Sequence, residues 1–206
     1  NIHIGSTGCT GDPMAGTALV GAVATALRQR SRTGAGMYLE LAQRENLTMF
    51  VGEFIVDYSM NGIARPPIGN RHPFLAPYNR YSSAGDDRWL TIACESDEQF
   101  AKLATAIGRL ELASDERFAT NTARKANEDE LDEIIGEWTV VRGHYEAMYQ
   151  LQRFGVAAGA VLTTPELLAE PQLRARGAWA PHTHPDAGTW EMETPPWRLS
   201  RTPGHI

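Results

Sequence analysis

Asp12 is the side chain best placed, by type and by neighbours, to do covalent chemistry in this 206-residue sequence. It follows the loop Gly5-Ser-Thr-Gly-Cys-Thr-Gly11 and precedes Pro13, where a long helical run begins. A carboxylate at a helix N-terminus beside glycines can be reached by a ligand and can act as a nucleophile. The first backbone N–H groups of the helix could steady negative charge on an intermediate. The same residues also make a good helix start, because Asp is a preferred N-cap and Pro a preferred first helical residue. The two readings are compatible.

A second cluster of polar types is Gly69-Asn70-Arg71-His72-Pro73. Polar and cationic groups in a proline-stiffened loop suit contact with a ligand, and equally suit a hinge or a packing role. Other motifs carry less. The glycines of residues 5–11 lack the Gly-Lys-Ser/Thr of a Walker A loop and the spacing of a dinucleotide fingerprint. Cys9 has no evident His or Asn partner to mark it as a nucleophile. His182 and His184, two apart with Asp186 nearby, read as a polar loop rather than a metal site. Asn46-Leu-Thr48 matches a glycosylation sequon but falls inside a helix. The acidic Glu128–Glu133 stretch reads as a solvated helix face.

These residues must be held by the elements around them. Pro13–Arg30 is apolar nearly all round, with Gly16 and Gly21 among its small residues, which predicts a buried helix that neighbours approach closely. Thr33–Gly36 ends it. Met37, Leu39 and Leu41 alternate with Tyr38 and Glu40, which predicts a short strand. A second long helix is expected from Ala42 to Met60, closed by Asn61-Gly62. Residues 62–79 hold four prolines and read as a linker or ordered loop. Tyr81–Ser83 and Trp89–Cys94 flank a predicted turn at Ala84–Asp87, a hairpin signature. Ser96 with Gln99 forms a capping box opening a helix to about Ile107. Further helices are expected at Asn121–Trp138 and His144–Phe154, then a buried strand at Gly155–Leu162. Thr164 and Pro165 should open a short helix. Trp179, Trp190 and Trp197 are expected to anchor the strands and loops that follow. The predicted fold class is α/β, divided as a segment 1–61 carrying Asp12, a linker 62–79, a small α+β domain at 80–180, and a return segment 181–206 running back toward the first.

Composition bounds the function. Apolar residues are 42% and charged residues 21%, ordinary for a globular chain able to bury a core. The net charge of −6 and the absence of a basic run argue against nucleic acid as a partner. No apolar stretch is long enough to span a membrane. Two cysteines fit a reducing compartment, and the cytoplasm is the expected location.

Taken in order, several segments resemble the family III CoA-transferases, the group that includes formyl-CoA transferase and the carnitine and bile-acid CoA-transferases. They are Gly11-Asp12, Gly16, Ala26-Leu27 with Arg30, Thr33-Gly34-x-Gly36 and Gln43-x-Glu45. The series continues through Gly69–Pro73, Ala76-Pro77-Tyr78, Asp87-Arg-Trp89-Leu and Ile92-Ala93. Asp115-Glu-Arg-Phe118, Gly155-Val156, Pro171-Gln-Leu173, Arg176-Gly177 and Pro196–Pro203 complete it. The resemblance spans nearly the whole sequence.

The resemblance implies that Asp12 matches the family's nucleophilic aspartate, and that Gln43, Gly69, Asn70, Arg71 and His72 contact substrate. It implies CoA transfer between an acyl-CoA and a carboxylic acid through an aspartyl-CoA thioester, without a metal or redox cofactor, coenzyme A arriving as the substrate thioester. It also implies a Rossmann-like large domain of which this sequence holds only the C-terminal portion. The expected partner is therefore a second copy, in the interlaced homodimer of the family, or a separate N-terminal subunit. The glycine-only lid of formyl-CoA transferase has no counterpart, which argues against formyl-CoA as substrate. Two alternatives remain at this point: an α-methylacyl-CoA racemase, which has the same fold, and a truncated module that folds and binds without catalysis.

Overall fold

The computed structural model describes residues 11–204. The chain divides into two units, residues 1–69 and 70–206. The architecture is mixed α and β, helices with two small antiparallel sheets.

In the first unit α1 (Gly11–Thr33) is followed by α2 (Gln43–Met49) and α3 (Gly52–Asn61). The hydroxyls of Thr17, Thr25, Ser31 and Thr33 each donate to the carbonyl four residues earlier, so the polar side chains of α1 are satisfied within the helix. Gly34, with φ of 75°, closes α1 by donating its N–H to Arg30 O at 2.8 Å, and Gly62 closes α3 with φ of 70°. The expected burial of α1 is not realised. Ala15 is the one buried residue among those described in this unit, and Leu19, Val20, Val23 and Leu27 stand exposed. Nothing lies within 4 Å of a Cβ placed on Gly16 or Gly21, so neither glycine serves a close approach here.

Two further expectations are corrected in this unit. Residues 37–41 form no strand. A strand requires a neighbour for its backbone N–H and C=O groups, and no other strand occurs among the described residues of this unit. The helix expected across Ala42–Met60 is broken at Phe50 and Val51, where Val51 leaves helical geometry at φ −116°, ψ 22°.

The second unit is built on a three-stranded antiparallel sheet of β1 (Tyr78–Ser82), β2 (Trp89–Ala93) and β3 (Ala157–Val161), in the order β1-β2-β3. α4 (Asp97–Ala106), α5 (Asn121–Ala126), α6 (Glu128–Thr139) and α7 (His144–Arg153) supply its helical layer. Apolar residues recur at helical spacing, as Phe100, Leu103 and Ala104 in α4, Leu131, Ile135 and Trp138 in α6, and Ala147 and Leu151 in α7. They bury against Leu90 and Ile92 of β2 in one core.

Ser96 caps α4 as expected, accepting from Gln99 N, but the Gln99 side chain accepts from Glu95 N rather than from Ser96. The helix expected from Asn121 to Trp138 is two helices. Asn127 divides them, donating through Nδ2 to Ala123 O and Arg117 O, as Asn side chains compete with helical continuation. α8 (Thr164–Ala169) is capped by Thr163, one residue before the expected position, with the Glu166 carboxylate accepting from the Thr163 N–H and hydroxyl. α9 (Pro171–Ala175) precedes a hairpin of β4 (Trp179–His184) and β5 (Gly188–Glu193). Trp197 is exposed and does not anchor the segment. Among the described residues no helix is long and apolar enough to cross a membrane.

Candidate functional site

Asp12 lies in the first turn of α1, exposed, with Gly11 before it. Its carboxylate sits where the helix dipole favours negative charge. Gly11 suits the packing: a Cβ there would stand 3.1 Å from Leu47 Cδ1 of α2, tight enough that the leucine side chain would have to shift. The absence of a side chain at Gly11 thus lets α2 close against the start of α1. Gln43 is the first residue of α2 and is exposed. Cys9 and the loop up to Thr10 lie outside the described residues.

Gly69 turns the chain with φ of 69°, a conformation that favours glycine. The three residues after it are held by the second unit in different ways. Asn70 is exposed. Arg71 is turned inward: its Nε and Nη2 donate to Asp132 Oδ2 at 3.1 and 2.7 Å, and Nη2 also meets Asp129 Oδ1 at 2.7 Å. Partial burial opposes the guanidinium charge, but the bonds it donates to Asp132 and Asp129 outweigh that and hold the proton more firmly than usual. His72 accepts at Nδ1 from the N–H groups of Phe74 and Leu75, both at 3.1 Å, which leaves the ring proton on Nε2. Its carbonyl accepts from Lys125 Nζ at 2.7 Å.

The loop after His72 is pinned by residues that the sequence reading passed over. Asn121 donates to Phe74 O and accepts from Ala76 N. Arg124, fully buried, donates to Ala76 O, Phe118 O and Asp97 Oδ1 at 2.7, 2.9 and 2.7 Å, and its guanidinium lies over the Phe100 ring. The peptide bond between Ala76 and Pro77 is cis. Asp132, read as part of a solvated face, accepts from Arg71, from Asn79 Nδ2 at 2.8 Å and from the Tyr81 hydroxyl at 2.6 Å. Burial first, and then the Asp132 charge, push the Tyr81 hydroxyl well above its ordinary value. Asn121, Arg124 and Lys125 share a helical face by their spacing, as do Glu128 and Asp132. That spacing was the available signal.

The remaining candidates have structural roles. His182 and His184 sit on strand β4, not in a loop. The His182 ring packs edge-on against Trp190, and His184 Nδ1 accepts from the N–H groups of Asp186 and Ala187. Among the described residues no three metal-ligating side chains converge. Cys94 is buried in the core, and burial pushes its thiol up to about 12 against the pull of Arg124, so it is a poor nucleophile.

The comparisons with known proteins agree with the fold. The family model for CoA-transferase family III matches residues 5–206. The chain is 36% identical over 197 residues to a succinyl-CoA–D-citramalate CoA-transferase of Chloroflexus aurantiacus, covering 95% of this chain and 48% of the relative. It is 33% identical over 168 residues to a succinate–glutarate CoA-transferase of Agrobacterium fabrum, covering 81% and 41%. The crystal structure of a CaiB/BaiF family protein from Brucella suis superposes with a TM-score of 0.80 at 34% identity, over 92% of this chain and 48% of that one. The chain belongs to CoA-transferase family III. It spans about half the length of the curated relatives it matches.

Proposed function

We infer that this chain carries the nucleophile of a CoA-transferase that exchanges coenzyme A between dicarboxylic acids. The observation that carries the reading is an exposed Asp12 in the first turn of α1, immediately after Gly11, in a family III chain. The Asp12 carboxylate attacks the thioester carbonyl of an acyl-CoA, giving a mixed anhydride and CoA thiolate. The thiolate attacks the aspartyl carbonyl, releasing the first acid and leaving an aspartyl-CoA thioester. An incoming carboxylate attacks that thioester, and the thiolate then takes the new acyl group, restoring the Asp12 carboxylate. Each step conserves the acyl activation that water would destroy, so the site must exclude water. No step calls for a metal or a redox cofactor; coenzyme A is a substrate carrier. The dicarboxylate class is supported by the acids named for the two relatives above.

The exposed apolar residues of α1, among them Val20 and Leu27, and those of α3, among them Phe54 and Ile55, leave apolar area suited to contact with another polypeptide. A second copy or a complementary N-terminal segment would cover it and belongs to the active assembly. In the loop after Gly69, Asn70 is left free to face substrate while Arg71 and His72 hold the loop's shape. The reading is tested by incubating the chain with succinyl-CoA and glutarate and following both CoA esters by chromatography. Glutaryl-CoA that disappears in Asp12→Ala supports it. Exchange of the α-proton in deuterated water without an acid acceptor would favour the racemase instead.

A further inference from the structure

The outer face of the three-stranded sheet holds a trough of about 760 Å³, lined by Asn70, Tyr78, Arg80, Thr91, Ala157 and Val161 among others. Alternation along the strands produces it. Asn79 and Tyr81 turn toward Asp132, which leaves Tyr78 and Arg80 on the opposite face. Register places Ala93 and Ala157 beside Tyr78, and Thr91 and Gly159 beside Arg80. The floor is therefore made of small residues. Gly159 keeps it open, since a Cβ there would stand 3.3 Å from Thr91 Oγ1, which donates to Gly159 O at 3.0 Å.

One cation stands over this floor. The Arg80 guanidinium lies 4.4 Å from the centre of the Trp89 ring. The indole is itself fixed by the bond from Nε1 to Asp87 Oδ1 at 2.7 Å. Among the described residues no carboxylate is within ion-pair distance of Arg80, whereas Arg71, Arg117, Arg124 and Arg174 each have one. A pre-oriented guanidinium without an anion, at the wall of an apolar trough of ligand size, is complementary to a short aliphatic body ending in a carboxylate.

We propose that Arg80 binds the carboxylate of a short aliphatic acid lying across the Thr91–Ala93–Ala157 floor of the second unit. The carboxylate meets the guanidinium, and the small residues leave room for the carbons behind it. A phosphate of coenzyme A carries charge of the same sign and is the competing source of the anion.

The test uses the ¹⁵N-labelled full chain, with amide and arginine Nε resonances followed while succinate, butyrate, butyramide or coenzyme A is added. Succinate and butyrate should shift Thr91, Ala93 and Ala157 and the Arg80 Nε–H at millimolar concentrations, and butyramide should not. Arg80→Gln should weaken succinate binding about tenfold or more, and Arg80→Lys should retain part of it. Unmoved amides, equal binding of butyramide, an Arg80→Gln chain that binds as before, or tighter occupancy of the same amides by coenzyme A would each overturn the proposal.

Discussion

Arg71 is the residue whose role the structure most changes, and a double-mutant cycle with Asp132 tests that change. The Arg71 guanidinium makes two bonds to Asp132 Oδ2 and one to Asp129. The Arg71 side chain is 32% exposed, Asp132 14% and Asp129 87%, so the Asp129 contact sits in water and adds little. A hydrogen bond to a charged group contributes about 1.5–3 kcal/mol when well buried. Discounted for the solvent around Arg71, the coupling between Arg71 and Asp132 should be about 1–2 kcal/mol. Asp132→Asn should cost more than Arg71→Met, because Asp132 also receives Asn79 and Tyr81. All five tryptophans lie between residues 89 and 197, so their fluorescence during urea unfolding reports the second unit. The singles, measured this way, should sum to more than the double mutant by that coupling. Additive costs within about 0.5 kcal/mol would refute the reasoning and return Arg71 to the role of a ligand contact.

Three further outcomes are expected. Arg124→Met should destabilise the second unit by about 3–5 kcal/mol, because it strips the bonds from Ala76 O and Phe118 O and leaves both carbonyls buried; a urea midpoint near that of the parent would contradict it. Glu166 is held down to about 2 from an ordinary 4.5 by the Thr163 hydroxyl and N–H, with Arg88 and His144 adding charge. Its contribution is full above pH 4.5 and is lost as pH falls toward 2, so Glu166→Gln should flatten that part of the acid-unfolding curve; an unchanged curve would refute the assignment. In a Cys9→Ser background, Cys94 should resist iodoacetamide at pH 8 while folded and react once urea unfolds the chain, since burial raises its thiol to about 12; fast labelling of the folded form would show the core to be open.

The second unit was largely legible because its local signals agree with its packing. The hairpin around Ala84–Asp87, the Ser96 cap and the helix at His144–Arg153 each combine a turn or cap signal with apolar spacing that a core satisfies. The first unit was not. The alternation at Met37–Leu41 and the apolar surface of α1 are patterns that predict a neighbour, and the described residues of that unit supply none. Periodicity reports what an element is suited to contact, not whether the contact is present. The division at Asn127 was hidden because one side chain bonding to the carbonyls of Ala123 and Arg117 decides it, while the apolar spacing continues on either side.

At the site, Asp12 was singled out by the family resemblance, since residue type, neighbouring glycines and a helix start fit an ordinary N-cap equally well. The Arg71 and His72 side chains were legible as chemistry but not as architecture. Whether a cation meets a ligand or a carboxylate depends on a partner 61 residues away, and no local pattern carries that. Asp132 was hidden for the same reason: an acidic residue in an acidic run reads as solvated until Arg71, Asn79 and Tyr81 are seen to converge on it. Arg124 could have been suspected only from its spacing with Asn121 and Lys125.

The transfer chemistry stands on one carboxylate, and trapping its activated form tests it most directly. The chain is incubated with succinyl-CoA and hydroxylamine, and its intact mass and modified peptides are read by mass spectrometry. A hydroxamate on Asp12, absent in Asp12→Ala, is the predicted result. A folded chain that gains no mass with succinyl-CoA, alone and after a complementary N-terminal segment has been supplied, would contradict the assignment of Asp12 as the nucleophile.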